Sequence, residues 1–99
     1  MSFLGAGMKH CILVKFVKDY NWKDELPNIK RIFDGINIEG VNFVEYITNC
    51  IDRENRCDLL IRVDMKKEAL ASYDSCPNHH EWKDTYSKFI DKKAIFDYE

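Results

Sequence analysis

Apolar and polar positions along the chain fall into segments of two different periods. Lys9 to Val17, "KHCILVKFV", is rich in β-branched and aromatic residues, with His10, Ile12, Val14 and Phe16 on one face and Cys11, Leu13 and Val17 on the other. This predicts a strand buried on both faces. From Trp22 to Ile36 the apolar residues Trp22, Leu26, Ile29, Ile32, Phe33 and Ile36 recur every three or four positions, the spacing of an amphipathic helix. Pro27 then belongs in its first turns, where a missing N–H costs little. Gly40 closes the connection to a second alternating stretch, Val41 to Ile51, which sets Val41, Phe43, Ile47 and Ile51 against Val44, Tyr46 and Cys50. After the polar turn "DRENR", Asp52 to Arg56, a third strand places Cys57, Leu59, Ile61, Val63 and Met65 inward and Asp58, Arg62 and Asp64 outward. "KKEALASY" predicts a short helix over 66–73; "SCPN" interrupts it, His79 to Asp91 resumes helical spacing, and "KAIFDY", 93–98, is a last strand.

The order β-α-β-β-α-β is the split βαβ, or ferredoxin-like, arrangement: an α+β fold with a four-stranded antiparallel sheet and helices on one face. Strands one and two are apolar on both faces, so helices on one side alone would leave an exposed patch larger than monomers usually carry. Pairing of two copies through their sheets is the direct solution, so the expected partner is the chain itself. At 99 residues one core and one domain are expected, with 1–7, small and apolar with two glycines, as a flexible extension and 8–99 as the domain.

Composition narrows the class. With 45% hydrophobic and 32% charged residues and two prolines, neither disorder nor low complexity is indicated. A net charge of -2 argues against nucleic-acid or anionic-membrane partners, which require clustered Lys and Arg. No run approaches the ~18 apolar residues of a membrane span, and "MSFLGAG" lacks a basic leader region, so a cytoplasmic protein is expected. Cys11, Cys50, Cys57 and Cys76 form no C-x-x-C pair, and free thiols are expected rather than a disulfide framework. Neither a dinucleotide fingerprint, a P-loop nor a G-x-S-x-G is present, so no cofactor is expected.

Candidate chemistry centres on "SCPNHHEW", 75–82. Ser75 is a good N-cap, Pro77 is favoured early in a helix, and Glu81 suits the positive helix end. The stripe Trp82, Tyr86, Phe89 and Ile90 includes His79, three residues before Trp82, whereas His80 falls with Lys83, Asp84 and Ser87 on the polar side. Cys76 and His79 could converge on a metal, but a closed zinc site needs four ligands and no second cluster accompanies them, so no metal is expected. A buried His79 at a helix start would be neutral near pH 7 and suited to move one proton; the alternative is a core histidine bonded to a carbonyl or hydroxyl. Tyr73, and His10 on the first strand, could line the same small pocket.

"KHCILVKF", "NRCDLLIRV", "ALASYDSCPNHHEW" and the closing "AIFDYE" resemble, in order and spacing, the stress-responsive A/B barrel domain, over essentially 8–99. That likeness implies a homodimer in which two sheets build a barrel, with a cavity between sheet and helices in each protomer. It places the second histidine of the family's H-P-x-H on His79, the tyrosine before it on Tyr73 and the first-strand histidine on His10; the motif's first histidine is Cys76 here. One plant branch of the family is a polyketide cyclase, whose third-strand histidine falls on Leu59. The resemblance thus implies a small apolar ligand lined by His10, Tyr73, His79, Trp82 and Leu59. The alternatives are a cofactor-free lyase, cyclase or isomerase with His79 as base and Tyr73 as proton donor, or a cofactor-free monooxygenase.

Overall fold

The computed structural model describes residues 7–99, and the six residues before them lie outside it. Its elements are β1 (Gly7–Phe16), a 3-10 turn (Trp22–Glu25), α1 (Leu26–Asp34), β2 (Val41–Thr48), β3 (Leu59–Lys66), a 3-10 turn (Lys67–Ala69), α2 (Leu70–Asp74), α3 (Pro77–Tyr86), a 3-10 turn (Ser87–Phe89) and β4 (Ile90–Tyr98). One antiparallel sheet runs β2-β3-β1-β4, so β1 and β3, the first strand of each βαβ half, lie inside and β2 and β4 form the edges. This is the α+β ferredoxin-like fold that the sequence predicts. Gly7, expected in the N-terminal extension, instead opens β1 opposite Lys66.

The core forms where the apolar stripe of each helix meets one face of the sheet. Ile12, Val14 and Phe16 of β1 and Leu59, Ile61, Val63 and Met65 of β3 pack against Ile29, Ile32 and Phe33 of α1 and Trp82 and Tyr86 of α3. Each such aliphatic side chain contributes about 1.5–3 kcal/mol by leaving water. Asn78 fastens α3 to α1, donating from Nδ2 to the Ile32 carbonyl at 2.7 Å, one of the carbonyls that the end of α1 leaves without a helical partner.

Three expectations change. The stripe Trp82, Tyr86, Phe89, Ile90 does not continue as helix to Asp91: α3 stops at Tyr86, and Ile90 pairs with Phe16 as the first residue of β4. Tyr20 stacks on Phe89 at 4.2 Å, and the Phe89 carbonyl accepts from Val17, so pairing with β1 overrides helical periodicity. In β2 the register shifts between Val41 and Phe43, and this bulge turns Val41 to the core side with Val44 and Tyr46, leaving Phe43 and Ile47 outside. β2 also ends at Thr48, so Cys50 and Ile51 lie in the following loop. Finally, the cap of α3 is Cys76, whose Sγ accepts from the His79 amide at 3.4 Å, while Ser75 turns back to the carbonyls of Ala71 and Ser72.

Candidate functional site

β1, β4 and the α2–α3 junction bring three of the predicted site residues together. His10 lies on the core-facing side of β1 at 6% exposure, and the β1–β4 register sets it opposite Asp97. Its Nδ1 lies 2.6 Å from Asp97 Oδ1. Tyr73, near the end of α2, is 0% exposed and packs its ring edge-on to His10, with centroids 5.1 Å apart. His79, in the first turn of α3, is half-buried with its ring centroid 4.9 Å from that of Tyr73. The row His10, Tyr73, His79 therefore has Tyr73 as its centre.

Hydrogen bonding sets the tautomers. His79 Nδ1 is 2.9 Å from the Asp74 carbonyl, which can only accept, so Nδ1 carries the hydrogen and the neutral ring keeps its lone pair on Nε2. The Asp97 carboxylate fixes His10 in the same way. Burial lowers the His79 pKa, opposed by its bond to Asp74, and nearby Lys83 and Lys93 add to the lowering, so the neutral form dominates near pH 7. Burial pushes the Tyr73 pKa far up, with the fields of Cys76, Asp74 and Asp97 acting in the same direction, so its hydroxyl stays protonated. That hydroxyl is fully buried with no hydrogen-bond partner among the described residues, an arrangement that costs about 1–3 kcal/mol. The cluster thus holds a protonated phenol and an imidazole with a free lone pair on neighbouring rings.

The other two predicted residues are elsewhere. Leu59 pairs with Val14 and Thr48, whereas the β3 residue opposite His10 is Val63. Leu59 is thus a core side chain four positions along β3 from the cluster. Trp82 is buried against Phe33 and Tyr86, at centroid separations of 5.3 Å from each, and acts as core between α1 and α3. Cys76 is occupied as the cap of α3, and no group of three or more potential metal ligands gathers among the described residues. Asp97 is the site residue that sequence reading missed; its signal was the closing "FDY", which β1–β4 pairing brings beside His10.

β4 is an edge strand exposed from Asp91 to its end, so the cluster lies beside an open edge of the sheet. A recess of about 220 Å³ lined by Met8, Lys67, Asp97, Tyr98 and Glu99 shares Asp97 with it. On the opposite side of the sheet Phe43, Ile47 and Phe96 are 52%, 47% and 61% exposed. Leu13 and Leu60, paired across β1 and β3, lie between them. Arg62 spans this face, donating to Glu45 at 2.8 Å and to Tyr98 at 3.2 Å.

The fold recurs in solved structures. A dabb family protein with a ferredoxin-like fold from Mesorhizobium loti superposes with a TM-score of 0.75 at 16% identity, over 94% of this chain and 95% of that one. Its fold is the fold of this chain. A dimeric protein of unknown function and ferredoxin-like fold from Bacteroides fragilis gives a TM-score of 0.75 at 17% identity, over 95% and 96% of the two chains. Hydroxynitrile lyase from Passiflora edulis gives 0.72 at 10% identity, over 93% and 91%. No family model and no curated protein matches the sequence. The dabb-type fold accounts for a sheet with one covered and one open face. Among the described residues no helix is long and apolar enough to cross a membrane.

Proposed function

We propose that the chain is a homodimer, joined through the open sheet faces, in which each protomer binds a small, largely apolar molecule carrying one hydrogen-bond acceptor. The observation that carries this reading is the Tyr73 hydroxyl, buried, protonated and unpartnered on a ring that packs against two histidines. A ligand carbonyl or hydroxyl oxygen would satisfy it, and the aromatic faces around it supply apolar contact. Access runs along the β4 flank, an exposed edge of the sheet. The dimer rests on the apolar residues of the outer face and on the fold shared with a dimeric protein.

The experiment is a ligand-observed NMR screen of small aromatic ketones, phenols and aldehydes, with each hit titrated into wild type, Tyr73→Phe and His79→Ala. Hits that lose at least about twofold in affinity on Tyr73→Phe support the reading, the loss of one buried hydrogen bond being worth about 0.5–1.5 kcal/mol, or about two- to twelvefold, and more in an apolar setting. Hits whose affinity is the same in all three proteins would place the ligand elsewhere.

A second reading is a cofactor-free lyase. It is favoured by an imidazole with a free Nε2 lone pair packed against the ring of a tyrosine held protonated: a base to take a proton from the substrate and a donor to stabilise oxygen charge. The lyase with the same fold makes hydroxynitriles the first substrates to assay. Cleavage of an aromatic hydroxynitrile that Tyr73→Phe and His79→Ala each abolish would establish it, and cleavage unaffected by either change would dismiss it.

A further inference from the structure

The four cysteines are not equivalent. Cys11 is buried at 4% exposure with its thiol pKa pushed up by desolvation, and Cys76 is buried and capping α3. Cys50 is exposed and Cys57 half-buried, and both belong to the connection between β2 and β3. The last ladder pair there is Thr48 with Leu59. The Asn49 amide donates to the Asp58 carbonyl at 2.9 Å, closing that pair, while the Asp58 amide turns to the Val14 carbonyl at 2.7 Å. Continued past Thr48 and Leu59, the same register would set Cys50 against Cys57. Both residues line one recess of about 330 Å³ with Ile47, Leu59 and Leu60. Opposed positions of an antiparallel pair hold their Cα atoms roughly 4.5–5.5 Å apart, within the roughly 4.4–6.8 Å that a disulfide spans.

We propose that Cys50 and Cys57 are a cross-strand thiol pair that forms a disulfide across the mouth of the 51–56 loop when a low-molecular-weight disulfide is the oxidant. The exposed Cys50 thiolate attacks one sulfur of the oxidant, whose S–S bond breaks; one half joins Cys50 as a mixed disulfide and the other leaves as a thiolate. The Cys57 thiolate then attacks Cys50 Sγ, forming the intrachain S–S bond and expelling the second half. Two protein thiols are oxidised, one external disulfide is reduced to two thiols, and the two protein protons end on those thiols or in solvent. The pair makes the β2–β3 hairpin end a modification site, independent of the Tyr73 cluster.

The test equilibrates the full chain with mixtures of oxidised and reduced glutathione, quenches with maleimide and reads intact mass, peptide cross-links and a non-reducing gel. The expected result is loss of two of the four alkylatable thiols, a Cys50–Cys57 cross-link, a mass lower by two hydrogens and no covalent dimer. In Cys50→Ser and Cys57→Ser the remaining partner should stop at the glutathione adduct. Retention of all four thiols in wild type, a stable glutathione adduct there, a covalent dimer, or a cross-link involving Cys11 or Cys76 would each overturn the proposal.

Discussion

Replacing Tyr73 with phenylalanine removes one oxygen from a fully buried position and changes little else. The ring keeps its edge contact with His10 and its packing on His79, because both are made by the aromatic faces and not by the hydroxyl. In the wild type that hydroxyl leaves water for a position with no hydrogen-bond partner, and from mutational data such burial costs about 1–3 kcal/mol. Tyr73→Phe should therefore stabilise the unliganded protein by about 1–3 kcal/mol. For a domain of this size that is a rise in Tm of at least about 4 °C. Urea unfolding at fixed protomer concentration is the better assay, since an assembling chain has a concentration-dependent midpoint. The midpoint should rise by about 1 M with the slope unchanged, given a slope of about 1–3 kcal/mol per molar urea for small proteins. A variant less stable than wild type would refute the reasoning, because it would mean that the hydroxyl is hydrogen-bonded in solution. Greater stability together with lost ligand affinity is the pairing expected where a strained polar group is kept for function.

Further expectations follow from other residues. His79 has its folded pKa below the unfolded value, so its contribution to stability is complete above about pH 6.5 and is lost as pH falls through the folded pKa; His79→Gln should flatten the pH dependence of Tm there, and identical slopes would contradict the burial argument. Phe96→Asp, at 61% exposure on the outer sheet face, should shift sedimentation toward the monomer without lowering helix content, and a wild type that stays monomeric at micromolar concentration would remove the sheet-to-sheet reading. Gly40→Ala should cost about 1–2 kcal/mol in urea unfolding, because Gly40 has φ of +94° and an added Cβ would sit 3.0 Å from that of Ala69; an unchanged midpoint would show that the β2 entry relaxes freely.

The element order was legible because the two periods alternate cleanly. Ile29, Ile32 and Phe33 could only face a sheet at helical spacing, and Leu59, Ile61, Val63 and Met65 could only face helices at spacing two, and all seven are core. The boundaries were less legible, for a physical reason. Phe89 and Ile90 satisfy the helical stripe that Trp82 and Tyr86 begin, yet they also fit a pleated surface, and only the presence of β1 decides between the two. The bulge at Asn42 is likewise invisible in an alternating pattern: its side chain donates to Asp64 at 2.7 Å, a carboxylate also paired with Lys9 at 2.6 Å, and a contact between three strands has no local signature.

The site divides along the same line. Helical phase alone separated His79 from His80, since the two differ by 100° around α3, and the structure leaves the first half-buried and the second exposed. What phase could not supply is the distance between elements. Leu59 was tied to the cluster by position in a motif, but antiparallel register decides proximity on β3, and it brings Val63 to His10. The same register brings Asp97 to His10 from the other side, so the β1 histidine is held by a residue 87 positions away whose only sequence mark is a terminal "DY". A ligand that reaches Tyr73 along the β4 flank would therefore pass the Asp97 carboxylate, which already accepts from the His10 ring. On the proposed reading, an acidic group on such a ligand would meet that carboxylate, which favours neutral carbonyl or hydroxyl compounds over carboxylates as the candidates to screen.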